Sequence, residues 1–270
     1  MRARIHGGLF WPLAVLAVVA LACVLAGPVH DLLVGFGWMD DTDRDFLRVF
    51  RRLLLVPLVA LFLWRVRPWR GAAGDAYGLR GPHARPRLAL VGFGVTVLAL
   101  TTLLFWQGAQ GWLRFEDPLR WGEFARRLGT YLVGGIVVGL FEEWFFRGWL
   151  VERGTRDVGP RFGVLASAVV FALIHAFRPS RLTQEVSHDA AGAFEALRGW
   201  TAHMVDLEAF GPAAAGLFCF ALMLSAARAR TRTLWTPVGI HAGAVLVIFS
   251  YGALTDRLAT PAWAGTRLLY

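Results

Sequence analysis

The stretch Phe141-Glu142-Glu143-Trp144-Phe145-Phe146-Arg147 decides how the chain is read. It sets two adjacent carboxylates and an arginine inside an apolar run from Tyr131 to Val151, long enough to cross a bilayer. A charged side chain at the bilayer centre costs about 2.5–3.5 kcal/mol on insertion scales, so groups at such depth are usually paired or functional. On a helix at about 100° per residue, Glu142 and Glu143 point in different directions, whereas Glu143 and Arg147 are four apart and in the favourable order for an ion pair. Glu143 is therefore expected to pair with Arg147, which leaves Glu142 without a local cation. The bland alternative is that both carboxylates anchor the helix near the inner headgroups. Against it, Glu142 stands nine residues before Val151, or about 13 Å at 1.5 Å per residue.

Outward from this stretch the chain has the composition of a polytopic membrane protein. Its 270 residues are 56% hydrophobic, with a mean hydropathy of +0.51. Apolar runs near 9–29, 47–64, 88–107, 131–151, 162–178, 209–227 and 233–254 predict an all-α bundle of about seven transmembrane spans. The first run follows Arg2 and Arg4 as in a signal peptide, but exceeds the usual h-region and reads as a span. The second is the weakest, because Arg51 and Arg52 lie near its start and must snorkel to the headgroups.

The net charge of +9 does not point to nucleic acid, because the basic residues sit in short loops and form neither a face nor a tail. They fit membrane topology instead. With the N-terminus cytoplasmic, the segments with Arg2 and Arg4, Arg65 to Arg87, about 152–161, and Arg228 to Arg232 are inner. The first outer loop carries Asp31, Asp40, Asp41, Asp43 and Asp45, although Arg114, Arg120, Arg126 and Arg127 weaken the rule in the next one. The longest polar stretch, Arg178 to Glu208, predicts an interfacial amphipathic helix over about 190–204, and the tail beyond Tyr251 is too polar to span again. No repeat or Gly/Ser linker divides the chain, so residues 1–270 read as a single integral membrane domain whose motif-bearing core is 131–254. The lack of an inverted repeat also counts against a secondary transporter. Cys23 and Cys219 lie in apolar runs without a metal-type spacing and read as packing residues.

Two further spans each hold one histidine in an apolar setting: Phe171-Ala172-Leu173-Ile174-His175, and Leu234 to Ile240 followed by His241. Alone, such a histidine is more often a helix–helix hydrogen-bonding residue than a catalyst. Two of them beside an intramembrane glutamate form a set that can deprotonate water and protonate a leaving amine. Glu142, His175 and His241 could also form a two-histidine, one-carboxylate zinc set, but no HExxH is present and three separate helices give no diagnostic spacing. Nor is there a GxSxG, and water as the nucleophile requires neither Ser nor Cys.

The ordered trio Glu142-Glu143-x-x-x-Arg147, Phe171-x-x-x-His175 and His241 resembles the three motifs of the CPBP family (CAAX protease and bacteriocin-processing, Abi), the intramembrane glutamic endopeptidases. The motifs cover about residues 131–251, and the N-terminal half matches only in being several spans. The resemblance implies that Glu142 activates the attacking water with His175, that His241 stabilises the oxyanion, and that no metal or cofactor takes part. It implies supporting places for Glu143, Arg147 and Phe171. The family usually has Asn or Asp four residues after the last histidine, where this chain has Val245; Ser250 and Tyr251 are too far along the helix to replace that side chain.

The expected activity is hydrolysis of a peptide bond in a membrane-associated protein or peptide, with the bilayer as the other partner and no nucleic acid. The expected site is an integral protein of a bacterial cytoplasmic membrane. The absence of lysine and asparagine reads as genomic composition bias of bacterial type, which favours a bacteriocin leader or sorting tag over a CAAX tail. The rival classes are a non-catalytic scaffold or immunity-type protein that binds a partner through the same cavity, and a proton-coupled transporter. Counted from the inner surface, Glu142 and His241 come out about 10–13 Å deep and His175 about 20 Å, so a tilt or a later start of the fifth span is needed to bring them together.

Overall fold

The computed structural model describes residues 2–66, 78–80, 83–115, 121–176, 186–205 and 207–257. Most of the basic segment Arg65 to Arg87, residues 177–185 of the long polar loop, and the tail after Arg257 lie outside them. In chain order the elements are α1 (Arg2–Gly35), α2 (Asp43–Val66), α3 (Arg87–Ala109), β1 (Leu113–Phe115), α4 (Trp121–Glu143), a π-helical segment (Trp144–Leu150), α5 (Val151–Asp157), α6 (Pro160–Ala176), α7 (Ala190–Val205), α8 (Leu207–Thr231), α9 (Trp235–Leu254) and β2 (Thr255–Arg257). The fold is an all-α polytopic bundle. Among the described residues one ribbon pairs β1 and β2 antiparallel, with Arg114 opposite Asp256.

Helices stand at all seven places where spans are expected. Among the described residues, five are long and apolar enough to cross a membrane by length and composition: Pro12–Gly35, Arg87–Ala109, Phe124–Asp157, Gly211–Thr231 and Trp235–Gly252. The other two differ for separate reasons. α6 is apolar but only 17 residues long. α2 carries Asp43, Arg44, Asp45, Arg48, Arg51 and Arg52 in its first turns, and it behaves as an amphipathic helix whose Phe46, Phe50 and Leu54 are buried on one face.

The chain forms two compact units: residues 1–68 with 176–206, and residues 69–175 with 207–270. In the first, α1, α2 and α7 pack together around Ala22, Cys23, Ala26, Phe46, Phe50, Leu54, Ala193, Ala196 and Trp200. The amphipathic helix expected over 190–204 is α7, and the protein itself covers much of its apolar side. Ala193, Ala196 and Trp200, at i, i+3 and i+7, are fully buried within this core, and Trp200 stacks on Phe50 at 5.3 Å. The helix starts at Asp189, whose carboxylate accepts from Gly192 N and Ser187 Oγ. The Gly192 N–H, helped by the serine hydroxyl, holds the Asp189 carboxyl below the usual carboxylate range.

In the second unit α9 lies between α3 and α4, and glycines set both distances. Gly239 and Gly243 face α3, where a Cβ on Gly243 would stand 2.9 Å from the Phe93 carbonyl oxygen and one on Gly239 would collide with the Ala89 carbonyl. On the opposite side, Gly135 and Gly139 of α4 face α9, and their added Cβ atoms would meet the Ala242 and Val238 oxygens at 3.0 and 3.2 Å. These are two small-xxx-small seams, the pattern that lets membrane helices approach backbone to backbone.

The inner loop expected over 152–161 is mostly helix. α5 continues to Asp157, braced by exposed ion pairs Arg153–Asp157 at 2.8 Å and Arg156–Glu152 at 3.2 Å, and the chain reverses at Val158 and Gly159, where Gly159 has φ 132°. Gly154 and Gly163 then sit back to back, a Cβ on the former reaching 2.7 Å from the Cα of the latter. This removes the depth mismatch. Glu142 stands fifteen residues before the end of α5, and His175 fifteen after the start of α6, so the two arms of the hairpin bring them level at about 22 Å from the turn. Neither a tilt nor a later start of α6 is required.

Candidate active site

Glu143 ends α4, one turn beyond Gly139 on the stripe that runs Gly135, Gly139, Glu143 along the α9 seam. Close approach at the glycines thus delivers Glu143 to α9. Its Oε1 accepts from Arg147 Nη1 at 3.0 Å and lies 2.7 Å from His241 Nδ1. All three side chains are almost wholly buried, at 0%, 1% and 4% exposure. A carboxylate accepting at Nδ1 fixes that nitrogen as the N–H and turns Nε2 of His241 away from Glu143. The sequence expectation of a Glu143–Arg147 pair describes half of this arrangement; the contact with His241 joins two motifs that spacing alone leaves apart.

Arg147 sits in the π-helical segment. π-turns are uncommon and recur at functional sites, and here side chains from other helices reach the carbonyls of the widened turn. Ser167 Oγ donates to the Phe146 oxygen at 3.0 Å, and Arg228 Nη1 donates to the Arg147 oxygen. The Arg147 guanidinium lies over the Phe171 ring at 4.4 Å. Phe171, buried on α6, also touches the His175 ring at 4.2 Å and meets His241 edge-on at 5.9 Å. One aromatic ring therefore bears on the arginine and on both histidines.

Glu142 is placed differently. Its side chain and that of His175 keep 22% and 21% exposure. Glu142 Oε2 has no hydrogen-bond partner, yet it lies 3.6 Å from His175 Nε2 and 3.8 Å from His241 Nε2. His175 Nδ1 is 2.8 Å from the Phe171 oxygen, so that nitrogen donates and Nε2 carries the lone pair. The gaps of 3.6 and 3.8 Å are too long for direct hydrogen bonds and suit a small polar group held between the three side chains. Among the described residues, one group gathers three histidine and carboxylate donor atoms within 4.8 Å of one another, and it is His30, Asp41 and His188 in the first unit, not Glu142, His175 and His241.

Val245, at the place of the family's usual amide or acid, belongs to the α4–α9 seam: its Cβ lies 3.4 Å from where a Cβ on Gly135 would be. Beside the buried cluster is a cavity of about 370 Å³ lined by His83, Arg147, Val151, Val164, Ser225, Arg228, Ala229 and Arg232. Arg147 faces it with Nε and Nη2 unpartnered. The basic residues Arg228 and Arg232 read in the sequence as an inner loop, and nothing in their spacing foretells their place beside Arg147.

The helices and the buried ionisable cluster define an integral membrane protein of the kind that keeps its polar chemistry inside the bundle. Residues 124–247 match the family of type II CAAX prenyl endopeptidases described as Rce1-like, a protease family, so this motif-bearing part of the chain is similar to those enzymes. The matched segment contains Glu142, Glu143, Arg147, Phe171, His175 and His241. No curated protein and no solved structure matches the chain.

Proposed function

We propose that the protein is an intramembrane endopeptidase that hydrolyses its substrate with water activated by Glu142 and His175. The observation that carries the reading is the unpartnered Oε2 of Glu142 facing two imidazole Nε2 atoms at 3.6 and 3.8 Å. Water held there gives its proton to Glu142, while the lone pair on His175 Nε2 orients it. The oxygen attacks the scissile carbonyl, and the negative charge that develops on the carbonyl oxygen is met by Nε2–H of a His241 ring that carries a proton on both nitrogens in this step, its Nδ1–H donating to Glu143. Glu143 keeps that ring oriented through Nδ1 and balances its charge, as a carboxylate behind a catalytic histidine does elsewhere. The proton on Glu142 then passes to the leaving amine. Phe171 and Arg147 are positioning residues: they hold the rings and Glu143 and touch no reacting atom.

The cavity beside Arg147 supports a substrate that brings an anionic group close to the scissile bond. Arg147, Arg228 and Arg232 give it a cationic wall, which fits the terminal carboxylate of a short C-terminal tail, whether a sorting tag or the CAAX tail that composition disfavours, better than an uncharged leader segment. On this reading the protein lies in a bacterial cytoplasmic membrane with its N-terminus inside, and the cavity opens to the cytoplasmic side.

The test is cleavage in proteoliposomes of a prenylated tail peptide and of the same peptide amidated at its C-terminus. The free-acid peptide is cut by wild-type protein before and after exhaustive chelation, the amidated one is cut more slowly, and Glu142→Gln cuts neither. Full activity in Glu142→Gln, or partner capture without any cleaved product, sinks the protease assignment. Activity lost on chelation and restored by zinc, together with zinc binding that is lost in Glu142→Gln and His175→Ala, moves the same three residues to a metal mechanism.

A further inference from the structure

In the first unit a second histidine and carboxylate cluster stands where α1, the turn before α2 and the segment before α7 meet. His30, on α1, is fully buried, and neither of its ring nitrogens has a hydrogen-bond partner. The nearest acid on its own helix, Asp31, is 3.9 Å from Nδ1, beyond hydrogen-bond reach. Leaving a buried polar group unsatisfied costs about 1–3 kcal/mol, so an orphaned imidazole calls for a cause. Facing it, edge-on at a ring distance of 4.8 Å, is His188. His188 is itself held by two carboxylates, Asp41 at 2.9 Å from Nδ1 and Asp43 at 2.9 Å from Nε2, and it stacks on Phe46 at 5.0 Å.

The structure assigns a divalent transition-metal site, best suited to Zn²⁺, to His30, Asp41 and His188, with Asp43 orienting His188 from behind. One donor atom from each of the three ligands already lies within 4.8 Å of the others. In a tetrahedral zinc site with bonds of about 2.0–2.1 Å, ligand atoms are about 3.3 Å apart, so rotamer-scale movements close the set. Two imidazoles and a carboxylate select zinc and its first-row neighbours over Ca²⁺ and Mg²⁺, which take oxygen donors. The Asp43 contact is the carboxylate–histidine–metal relay that fixes which ring nitrogen is free to bind. The Asp41 side chain is 71% exposed, which gives the ion a route in and leaves a fourth position to water.

Such an ion ties three separate chain segments together. The segment carrying His188 already lies against α1, where a Cβ on Gly27 would stand 2.6 Å from the His188 oxygen, and Val186 N reaches Asp43 Oδ2 at 3.4 Å. The role assigned is therefore structural: it fastens the approach to α7 onto α1 and α2, within one unit.

The test uses full-length protein in detergent, stripped with a chelator and then titrated with Zn²⁺ or Co²⁺ alone. We expect about one equivalent of zinc per chain, a visible cobalt spectrum of low-coordinate type, and a higher unfolding temperature with metal. His188→Ala and His30→Phe, the latter keeping an aromatic ring in the buried position, should each weaken zinc binding by about 100-fold or more, and exposed Asp41→Asn by about tenfold. The double variant Glu142→Gln, His241→Ala should keep the full equivalent. No stoichiometric uptake by wild-type protein overturns the assignment, as does uptake that survives in the His30 and Asp41 variants but is lost with Glu142 and His241.

Discussion

Glu142 and Glu143 are neighbours in sequence, yet they belong to two different regions of the same site. Glu143 faces the glycine-lined seam with α9, is fully buried, and spends one oxygen on both Arg147 and His241. Glu142 faces the partly exposed side shared with His175 and keeps an oxygen with no partner. A helix turn of about 100° separates them, and that rotation divides the labour. The side chain inside the packed seam is fixed through Oε1 by an arginine and a histidine while its Oε2 is left without a hydrogen-bond partner, whereas the one at the seam's edge is partly exposed and has two imidazoles near its unpartnered Oε2, neither within hydrogen-bond distance. Rigidity and reactivity sit one residue apart because close packing on one side supplies what the open side lacks.

The largest effect should come from the open side. Glu142→Gln keeps size and polarity but cannot take a proton, so turnover should fall by about 10²–10⁴-fold with the unfolding temperature in detergent unchanged. His175→Ala should fall within the same range. A variant with wild-type turnover would break the division at its first step. The next effect belongs to the seam. Glu143→Gln leaves Arg147 buried without a counter-charge, at about 3–5 kcal/mol, and frees the His241 ring, with a loss of about 10²-fold in turnover from misorientation. Loss of turnover and of stability together marks the seam; loss of turnover alone would move Glu143 into the chemistry beside Glu142. A thermal melt and a cleavage assay on the same preparation separate the two.

How much of this can be read from residues alone follows the same line. The helical class, the positions of the helices and the three motifs are visible because they rest on hydrophobic length and on charged residues in apolar runs, which are local properties. The Glu143–Arg147 pair is visible for the same reason, since i,i+4 spacing is local. The Glu143–His241 contact is not, because it depends on how near α4 and α9 come. Its only trace in sequence is Gly135-x-x-x-Gly139 on one helix and Gly239-x-x-x-Gly243 on the other, and such patterns do not say which helices they join. The apparent depth mismatch of His175 came from ending the fourth span at Val151. Arg153, Arg156, Glu152 and Asp157 look like loop residues, but their i,i+4 pairing lets the helix continue to Asp157. What the amphipathic helix over 190–204 packs against is hidden for a related reason: an apolar face is visible in sequence, but what covers it is not.

The glycine seam gives the next smaller effect. At Gly139 a Cβ would stand 3.2 Å from the Val238 oxygen and 3.6 Å from the His241 Cβ. Gly139→Leu should therefore spread α4 from α9 and cost about 1–3 kcal/mol as overpacking. Turnover should fall with it, although no reacting group is altered, because Glu143 is carried away from His241. Gly134, one residue before the seam glycine Gly135, has nothing within 4 Å of an added Cβ, and Gly134→Leu is the control that should change neither quantity. Equal behaviour of the two would mean that the seam does not set the Glu143–His241 distance.

The smallest effect comes from pairs with the geometry of Glu143–Arg147 but without its burial. Arg153 and Asp157 are also four apart, on the same continuous run of helix, with their side chains 63% and 52% exposed. Water screens them, so Arg153→Ala should shift stability by only about 0.2–1 kcal/mol, with turnover unchanged, and added salt should erase much of even that. The buried pair should hardly respond to salt. Measuring unfolding at low and high ionic strength for wild type, Arg153→Ala and Glu143→Gln therefore separates spacing from burial. If the exposed pair proved as costly to break as the buried one, i,i+4 placement itself would be the source of the effect, and the distinction between seam and open side would lose its physical basis.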